Sequence, residues 1–332
     1  MKWLKAIGKR ARPVEGARGL ILLYHHIDQA DTDPWEMAVT PDHFRSQLEV
    51  LKNAYDVLPL SALNDGRRKT FSRPVIFLTF DDAYADNYHT AFPLLKQFAL
   101  PATFFVATQI LNESTLFWWE VLEELLLARE HLPPRLCLRL PEGDYHREIA
   151  PCEKVGGWSA WSNKTENQRQ EVYLELAALL KEATPDVQQD TTQQLLSWAG
   201  KDFRPSRRTA KMNAGQLKEV QRSGLIEIGA HSIHHPALGH LRKDQQQHEI
   251  KTSKHTLEQF LDGPVNAFAY PHGHYSPLTK SLLQASGFTI GCTTEEAYLS
   301  GHSDPLALPR IWVRNWSREQ FAFQVNKWLT GI

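Results

Sequence analysis

The sequence predicts an α/β chain: βα units around a parallel sheet or barrel, interrupted by a mainly helical insertion. Three observations point there. Short apolar runs of strand length alternate with amphipathic helical patterns in the first third of the chain and again in its last third. That alternation fades between about residues 112 and 208. Several of the apolar runs end in acidic or histidine-rich loops, and α/β barrels gather their functional groups at the carboxyl ends of their strands.

Taken in order, residues 1–18 read as a basic leader. The first 20 residues hold six Lys or Arg and one acid, Glu15. Trp3, Leu4 and Ile7 share a helical face with Lys2, Lys5, Lys9 and Arg10 around it. The segment reads first as a solvated terminus, and second as a weak contact with an anionic membrane surface. It has no long apolar core, so neither a secretory signal nor a membrane span is expected. The expected location is cytoplasmic, at most peripheral at the inner face of the membrane.

The barrel is expected over 19–111 and 209–332. Its strands are expected at Leu20–Tyr24, Val75–Phe80, Thr103–Ala107, Ile226–Gly229, Ala267–Tyr270 and Phe288–Gly291. Between them "PDHFRSQLEVLKNA", "HTAFPLLKQFAL", "NAGQLKEVQRSG", Lys243–Leu261 and Pro277–Gly287 carry helical patterns, three of them with Gly or Pro punctuation at their ends. Residues 112–208 are read as a subdomain or lid. "FWWEVLEELLLARE" and "TENQRQEVYLELAALLKEA" are its helices, and "RLCLRLPEGDYHRE" suits a hairpin. Trp118, Trp119, Trp158 and Trp161 fall in it and read mainly as core, with sugar stacking as the second reading.

Composition bounds the function. Lys plus Arg is 37 and Asp plus Glu is 38, a net charge of -1, which argues against nucleic acid as a partner. The three cysteines, Cys137, Cys152 and Cys292, are too scattered for a disulfide framework or a Cys-based zinc site and read as reduced thiols.

The chemistry-bearing residues sit where strands end. Asp81 and Asp82 follow Val75–Phe80. Adjacent residues leaving a strand point to different sides, so one suits a metal and the other a base. A turn or helix cap is the plainer reading for an isolated Asp pair. His231, His234 and His235 follow Ile226–Gly229, and the spacing of His231 and His235 lets both imidazoles reach one ion. Two His and one carboxylate form an open ligand set for a divalent ion. "NAFAYPHGHYS" holds a rigid turn at Pro271 and Gly273 that can aim a backbone N–H at an oxyanion. "LLYHHID" adds His25 and His26, either of which also reads as a buried core histidine. "LALPRIWV" adds Arg310.

These five segments together resemble the polysaccharide deacetylases of carbohydrate esterase family 4, the NodB-homology domain. "TFDD" at 79–82 and "HSIHHP" at 231–236 carry the resemblance, which covers roughly residues 20–110 and 210–315. It implies a distorted (β/α)7 barrel. It implies Asp81 as general base, and a divalent metal held by Asp82, His231 and His235. That metal would usually be zinc, with cobalt or nickel as substitutes. It implies hydrolysis of an N-acetyl group on an amino sugar, with release of acetate. The backbone N–H of His272 is the candidate oxyanion donor. Tyr84, Tyr270 and Pro271, in the same loops, are assigned to substrate contact.

The sequence also departs from the family's pattern. The Arg that stands two residues before the Pro of the third motif is here Ala269, and no His follows Arg310 to supply the C-terminal acid. Relatives acting on poly-N-acetylglucosamine carry a "YH" motif near the N-terminus in a permuted order, and "LLYHHI" is similar to it. His25 is therefore the expected acid, with His26 second, and Arg310 the expected partner of Asp81. Two other functions stay open: a catalytically weak glycan-binding barrel, and a hydrolase of another amide or of an O-acetyl ester. The expected substrate is a precursor of a surface polysaccharide or lipopolysaccharide.

Overall fold

The computed structural model describes residues 19–64, 74–111, 116–151, 157–162, 164–200 and 203–330. The basic leader expected over 1–18 lies outside them. The chain divides into two compact units: Met1–Gln29, Ala38–Glu113 and Lys211–Ile332 form the first, Ala30–Met37 and Ser114–Ala210 the second. No helix among the described residues is long and apolar enough to cross a membrane.

The first unit begins with β1 (Gly19–Tyr24), every residue of which is buried. It continues through α1 (Pro41–Ala54), β2 (Asp56–Val57), β3 (Val75–Phe80), α2 (Phe92–Phe98) and β4 (Ala102–Val106). Thr40 starts α1 by accepting a hydrogen bond from the His43 N–H, with Pro41 at the first helical position. Phe44, Leu48 and Leu51 then face inward at helical spacing. One π-helical turn, Asn87–Ala91, precedes α2 where the sequence suggests continuous α-helix.

The second unit holds α3 (Trp118–Leu122), β5 (Arg135–Leu140), β6 (Gly143–Glu148), α4 (Gln168–Glu182) and α5 (Pro185–Ala199). β5 and β6 pair antiparallel, as the hairpin pattern suggests. The predicted first helix of this unit is α-helical only to Leu122 and then opens into a π-turn over Glu123–Leu127. Trp118, Trp119 and Trp158 are buried, whereas Trp161 is half exposed. Within this unit Trp161 Nε1 donates to the Trp35 carbonyl at 3.0 Å.

The first unit resumes with α6 (Ala214–Arg222), β7 (Ile226–Ala230), α7 (Lys243–Leu261), β8 (Ala267–Ala269), α8 (Pro277–Ala285), β9 (Ile290–Cys292), β10 (Ile311–Trp312) and α9 (Arg318–Thr330). Asn213 and Gln216 cap α6 reciprocally, and Ser276 caps α8 ahead of Pro277. The sheet runs β10-β1-β3-β4-β7-β8-β9, with β2 added beside β3, and each pairing is parallel. This path of seven strands curls into a half-barrel of the expected (β/α)7 kind. A parallel bridge between Cys292 and Leu308 links the end of β9 to the segment that leads into β10.

Ile21, Phe77, Phe105, Ala269, Ile290 and Cys292 belong to one core cluster. Packing there leaves no room for extra atoms: a Cβ on Gly229 would meet the Phe105 ring at 2.4 Å. β9 begins two residues later than the run Phe288–Gly291 suggests. Gly287 has φ 81, and Phe288 N still bonds back to Leu283 O at the end of α8.

Candidate functional site

β3 delivers Asp81 and Asp82 to one end of the sheet, 3 % and 2 % exposed. The backbone turns sharply there, with φ 71 at Asp82 and 53 at Ala83. Left-handed conformations cost energy for residues with a Cβ and persist where the surroundings enforce them. The Asp81 N–H donates to Tyr24 O at 3.0 Å, and Ala83 O accepts from Met212 N at 2.8 Å. The turn leaves both carboxylates near His231 Nε2, Asp81 Oδ2 at 3.8 Å and Asp82 Oδ1 at 3.7 Å, and gives each a different further partner.

Asp82 meets the histidines that follow β7. Ser232 and His235 both take positive φ, 64 and 62, so the chain doubles back tightly. The Ser232 hydroxyl accepts from the His235 N–H at 3.0 Å. Glu249 on α7 accepts from the N–H groups of Ile233 and His234 and from the His234 ring at 2.6 Å. That contact takes the His234 side chain to Glu249, while His231 and His235 turn inward.

Three atoms converge. His231 Nε2 and His235 Nε2 are 3.0 Å apart, and Asp82 Oδ1 lies 3.7 Å from the first and 3.4 Å from the second. Ligand atoms each about 2.1 Å from one tetrahedral ion would stand about 3.4 Å from one another. The triangle therefore has the size of one face of such a coordination shell. The tautomer suits it too. His231 Nδ1 lies 2.7 Å from Ala269 O, and a carbonyl accepts only, so Nδ1 carries the hydrogen and Nε2 keeps its lone pair. Burial lowers the pKa of His231 against the opposing pull of Asp81, and burial with His272 and His231 nearby lowers that of His235 well below the ordinary value. Both rings are thus held neutral, the form a metal requires. Asp82, His231 and His235 are the group of potential ligands found among the described residues.

Asp81 also meets Arg310. Arg310 Nη1 donates to Asp81 Oδ1 at 2.8 Å and Nη2 to Oδ2 at 2.7 Å, while Nε donates to Thr293 O at 2.7 Å. Arg310 is fully buried. Burial alone would raise the Asp81 pKa, but Arg310 and His231 outweigh it and hold the carboxyl below its usual range. A charged, oriented carboxylate beside a metal-sized triangle is equipped to accept a proton.

Comparison with known proteins agrees with this geometry. The family model described as polysaccharide deacetylase matches residues 68–132 and 203–291, which include both Asp81–Asp82 and the His231–His235 loop. Those two segments match the polysaccharide deacetylase family. It is 23% identical over 296 residues to YxkH of Bacillus subtilis (strain 168), whose name places it among the polysaccharide deacetylases; the match spans 88% of this chain and 70% of that protein. The structure resembles Streptococcus pyogenes deacetylase PplD in complex with acetate, with TM-score 0.59 and 21% identity over 96% of this chain and 99% of the other. It also resembles IcaB from Ammonifex degensii, with TM-score 0.59 and 18% identity over 93% and 97%. At these identities the structural likenesses concern the fold.

The remaining expected residues of the deacetylase domain divide into two groups. His25 lies with the centre. It is 8 % exposed, its ring packs on Trp312 at 4.9 Å, and burial lowers its pKa to about 3 against the opposing charge of Asp81. His272 lies there too, with its ring 4.5 Å from that of His235 and a left-handed backbone, φ 55. Gly273 makes that turn feasible: its φ is +66, and a Cβ would strike Thr294 Oγ1 at 2.0 Å. His26 turns away and bonds Asp86.

Tyr84 and Tyr270, assigned to substrate contact, have fully packed side chains. Tyr84 is fully buried between the His26 ring, 3.6 Å away, and Lys211 Nζ, 4.4 Å from its centroid. Tyr270 is fully buried, stacks on Tyr275 at 4.8 Å and donates its hydroxyl to Leu306 O at 2.8 Å. Pro271 is buried at the start of its turn. Sequence reasoning missed Ala269 O, Glu249, Asp86 and Asn87. Of these only Asp86 and Asn87 carried a signal, their place four and five residues after Asp82.

Proposed function

We propose that the chain hydrolyses the N-acetyl group of an N-acetylated amino sugar in a polysaccharide or glycan precursor, with a divalent metal, most often zinc, held by Asp82 Oδ1, His231 Nε2 and His235 Nε2. One observation carries the reading. A metal-sized triangle and an Arg-fixed carboxylate stand together past the ends of β3 and β7, in segments matched by the polysaccharide deacetylase model.

When bound, the ion would polarise the acetyl carbonyl and lower the pKa of water. Asp81 takes a proton from the attacking water, and Arg310 keeps its two oxygens oriented for that transfer. The backbone N–H of His272 steadies the negative charge that develops on the carbonyl oxygen. As the C–N bond breaks, a proton must reach the leaving nitrogen. His25, whose ring packs on Trp312 beside Asp81, is the group assigned to deliver it. The new C–O bond leaves acetate, and the sugar keeps a free amine. The basic segment 1–18 is proposed to bring the protein to an anionic membrane surface, where a lipid-linked substrate would be met.

Acetate release from N-acetylated glucosamine oligomers tests the reading. The expected result is release by the metal-loaded protein and loss of about 100-fold or more on Asp81→Asn with metal still bound. Bound metal with no acetate from any acetylated sugar would favour a glycan-binding barrel. His25→Ala at full rate would remove the acid assignment. Deletion of residues 1–18 without change in sedimentation on anionic vesicles would remove the membrane contact.

A further inference from the structure

The stretch "DDAYADN" does more than deliver Asp81 and Asp82. Its last two residues grip the turn that carries the two histidines. Asp86 Oδ2 accepts from His26 Nδ1 at 2.7 Å, and Oδ1 accepts from the Ile27 N–H at 2.9 Å and from Asn87 Nδ2 at 2.8 Å. Asn87 Nδ2 also donates to the His25 carbonyl at 2.7 Å. One dipeptide thus holds three successive residues: the His25 carbonyl, the His26 ring and the Ile27 N–H. Asn87 is fully buried, and the Asp86 side chain is 9% exposed.

A buried carboxylate and amide are costly to desolvate, and hydrogen bonds from both to one short turn restrict its backbone conformation. The clamp also starts a π-helical turn, Asn87–Ala91, a backbone form frequent at functional sites. The clamp leaves the His25 ring packed on Trp312 and within the electrostatic reach of Asp81 and His231.

We propose that Asp86 and Asn87 are positioning residues that clamp the His25–Ile27 turn and so aim the His25 imidazole at the leaving nitrogen. The proposal rests on the reading of the chain as a deacetylase with His25 as its proton donor. Misplacing such a group by a fraction of its working distance slows the step that needs the proton and spares steps that do not. Amide cleavage needs the proton because an amine anion does not leave. Cleavage of 4-nitrophenyl acetate does not, because nitrophenolate leaves as the anion.

The test compares Asp86→Asn, Asp86→Ala and Asn87→Ala with the wild type on an N-acetylated glucosamine oligomer and on 4-nitrophenyl acetate. Metal content and near-ultraviolet circular dichroism check that each variant is folded and loaded. The expected result is a fall in amide kcat of about 10- to 100-fold with KM within about twofold, against a fall of less than about threefold on the ester. Asp86→Asn keeps an acceptor for Ile27 and is expected to lose least. Asn87→Ala, which leaves the Asp86–His26 bond in place, is expected to show the same split should the Asp86 variants fail to fold. Equal loss on both substrates, loss in KM alone or no loss would overturn the clamp. A wild type that releases no acetate would instead overturn the deacetylase reading, and the clamp's role with it.

Discussion

Arg310 and Asp81, 229 residues apart in sequence, meet through two parallel hydrogen bonds in a fully buried pair. The sheet order explains the meeting. β10 and β3 both pair with β1, so the strand order brings the segments that carry Arg310 and Asp81 close in space although they are far apart in sequence. The forked guanidinium matches both carboxylate oxygens, a geometry that Lys does not reproduce.

Breaking this pair is expected to be costly. Arg310→Ala leaves Asp81 buried without its counter-charge, and such a loss costs about 3–5 kcal/mol. Urea unfolding would read it. Acetate release is expected to fall by about tenfold or more, and Arg310→Lys to recover part of the stability and little of the rate. An unchanged rate in Arg310→Ala would make Arg310 purely structural.

The pair also makes stability depend on pH in a defined direction. The Asp81 pKa is lowered in the folded chain: burial raises it, and Arg310 and His231 more than reverse that. Its unfolded value is about 3.9. The stabilisation is therefore complete above the unfolded value and is lost as pH falls through the lower folded value. Unfolding free energies of wild type and Asp81→Asn, measured from pH 7 down to about pH 2, are expected to differ most near neutrality and to converge below the unfolded value. A gap that stays constant would contradict the assignment.

Three substitutions at the triangle are expected to separate from one nearby. His231→Ala, His235→Ala and Asp82→Ala each remove a converging atom and should weaken zinc binding by about 100-fold or more, since even outer partners of metal ligands are worth 10–100-fold. His234→Ala removes a ring that bonds Glu249 instead, and should change zinc affinity by less than about threefold. Isothermal titration calorimetry on the four variants decides. Equal losses in all four would show that the loop, and not the triangle, controls binding.

Much of this architecture was legible in the sequence, for reasons that differ from residue to residue. Buried parallel strands such as β1 and β3 are continuous apolar runs, so their bounds could be read almost to the residue. Asp82, His231 and His235 stood out because strand ends and local spacing are properties of short segments. The Arg310–Asp81 contact could only be inferred, since it depends on strand order. His25 and His26 are neighbours in sequence, and only the tertiary contacts with Trp312 and Asp86 tell them apart. α5 escaped notice because its Gln-, Thr- and Asp-rich sequence has weak apolar periodicity, and β10 because two residues carry no period at all. An aromatic beside a motif, such as Tyr84 or Tyr270, looks the same in sequence whether it lines a cleft or fills the core.

The central claim is that a divalent ion at Asp82, His231 and His235 and the base Asp81 act together to remove acetyl groups from an amino sugar. The most direct measurement is acetate released from an N-acetylated glucosamine oligomer by chelator-stripped protein titrated with zinc. The account predicts no release without metal, and activity that rises to a plateau at one ion per chain. Release that survives stripping, or one bound ion with no acetate formed, would contradict it.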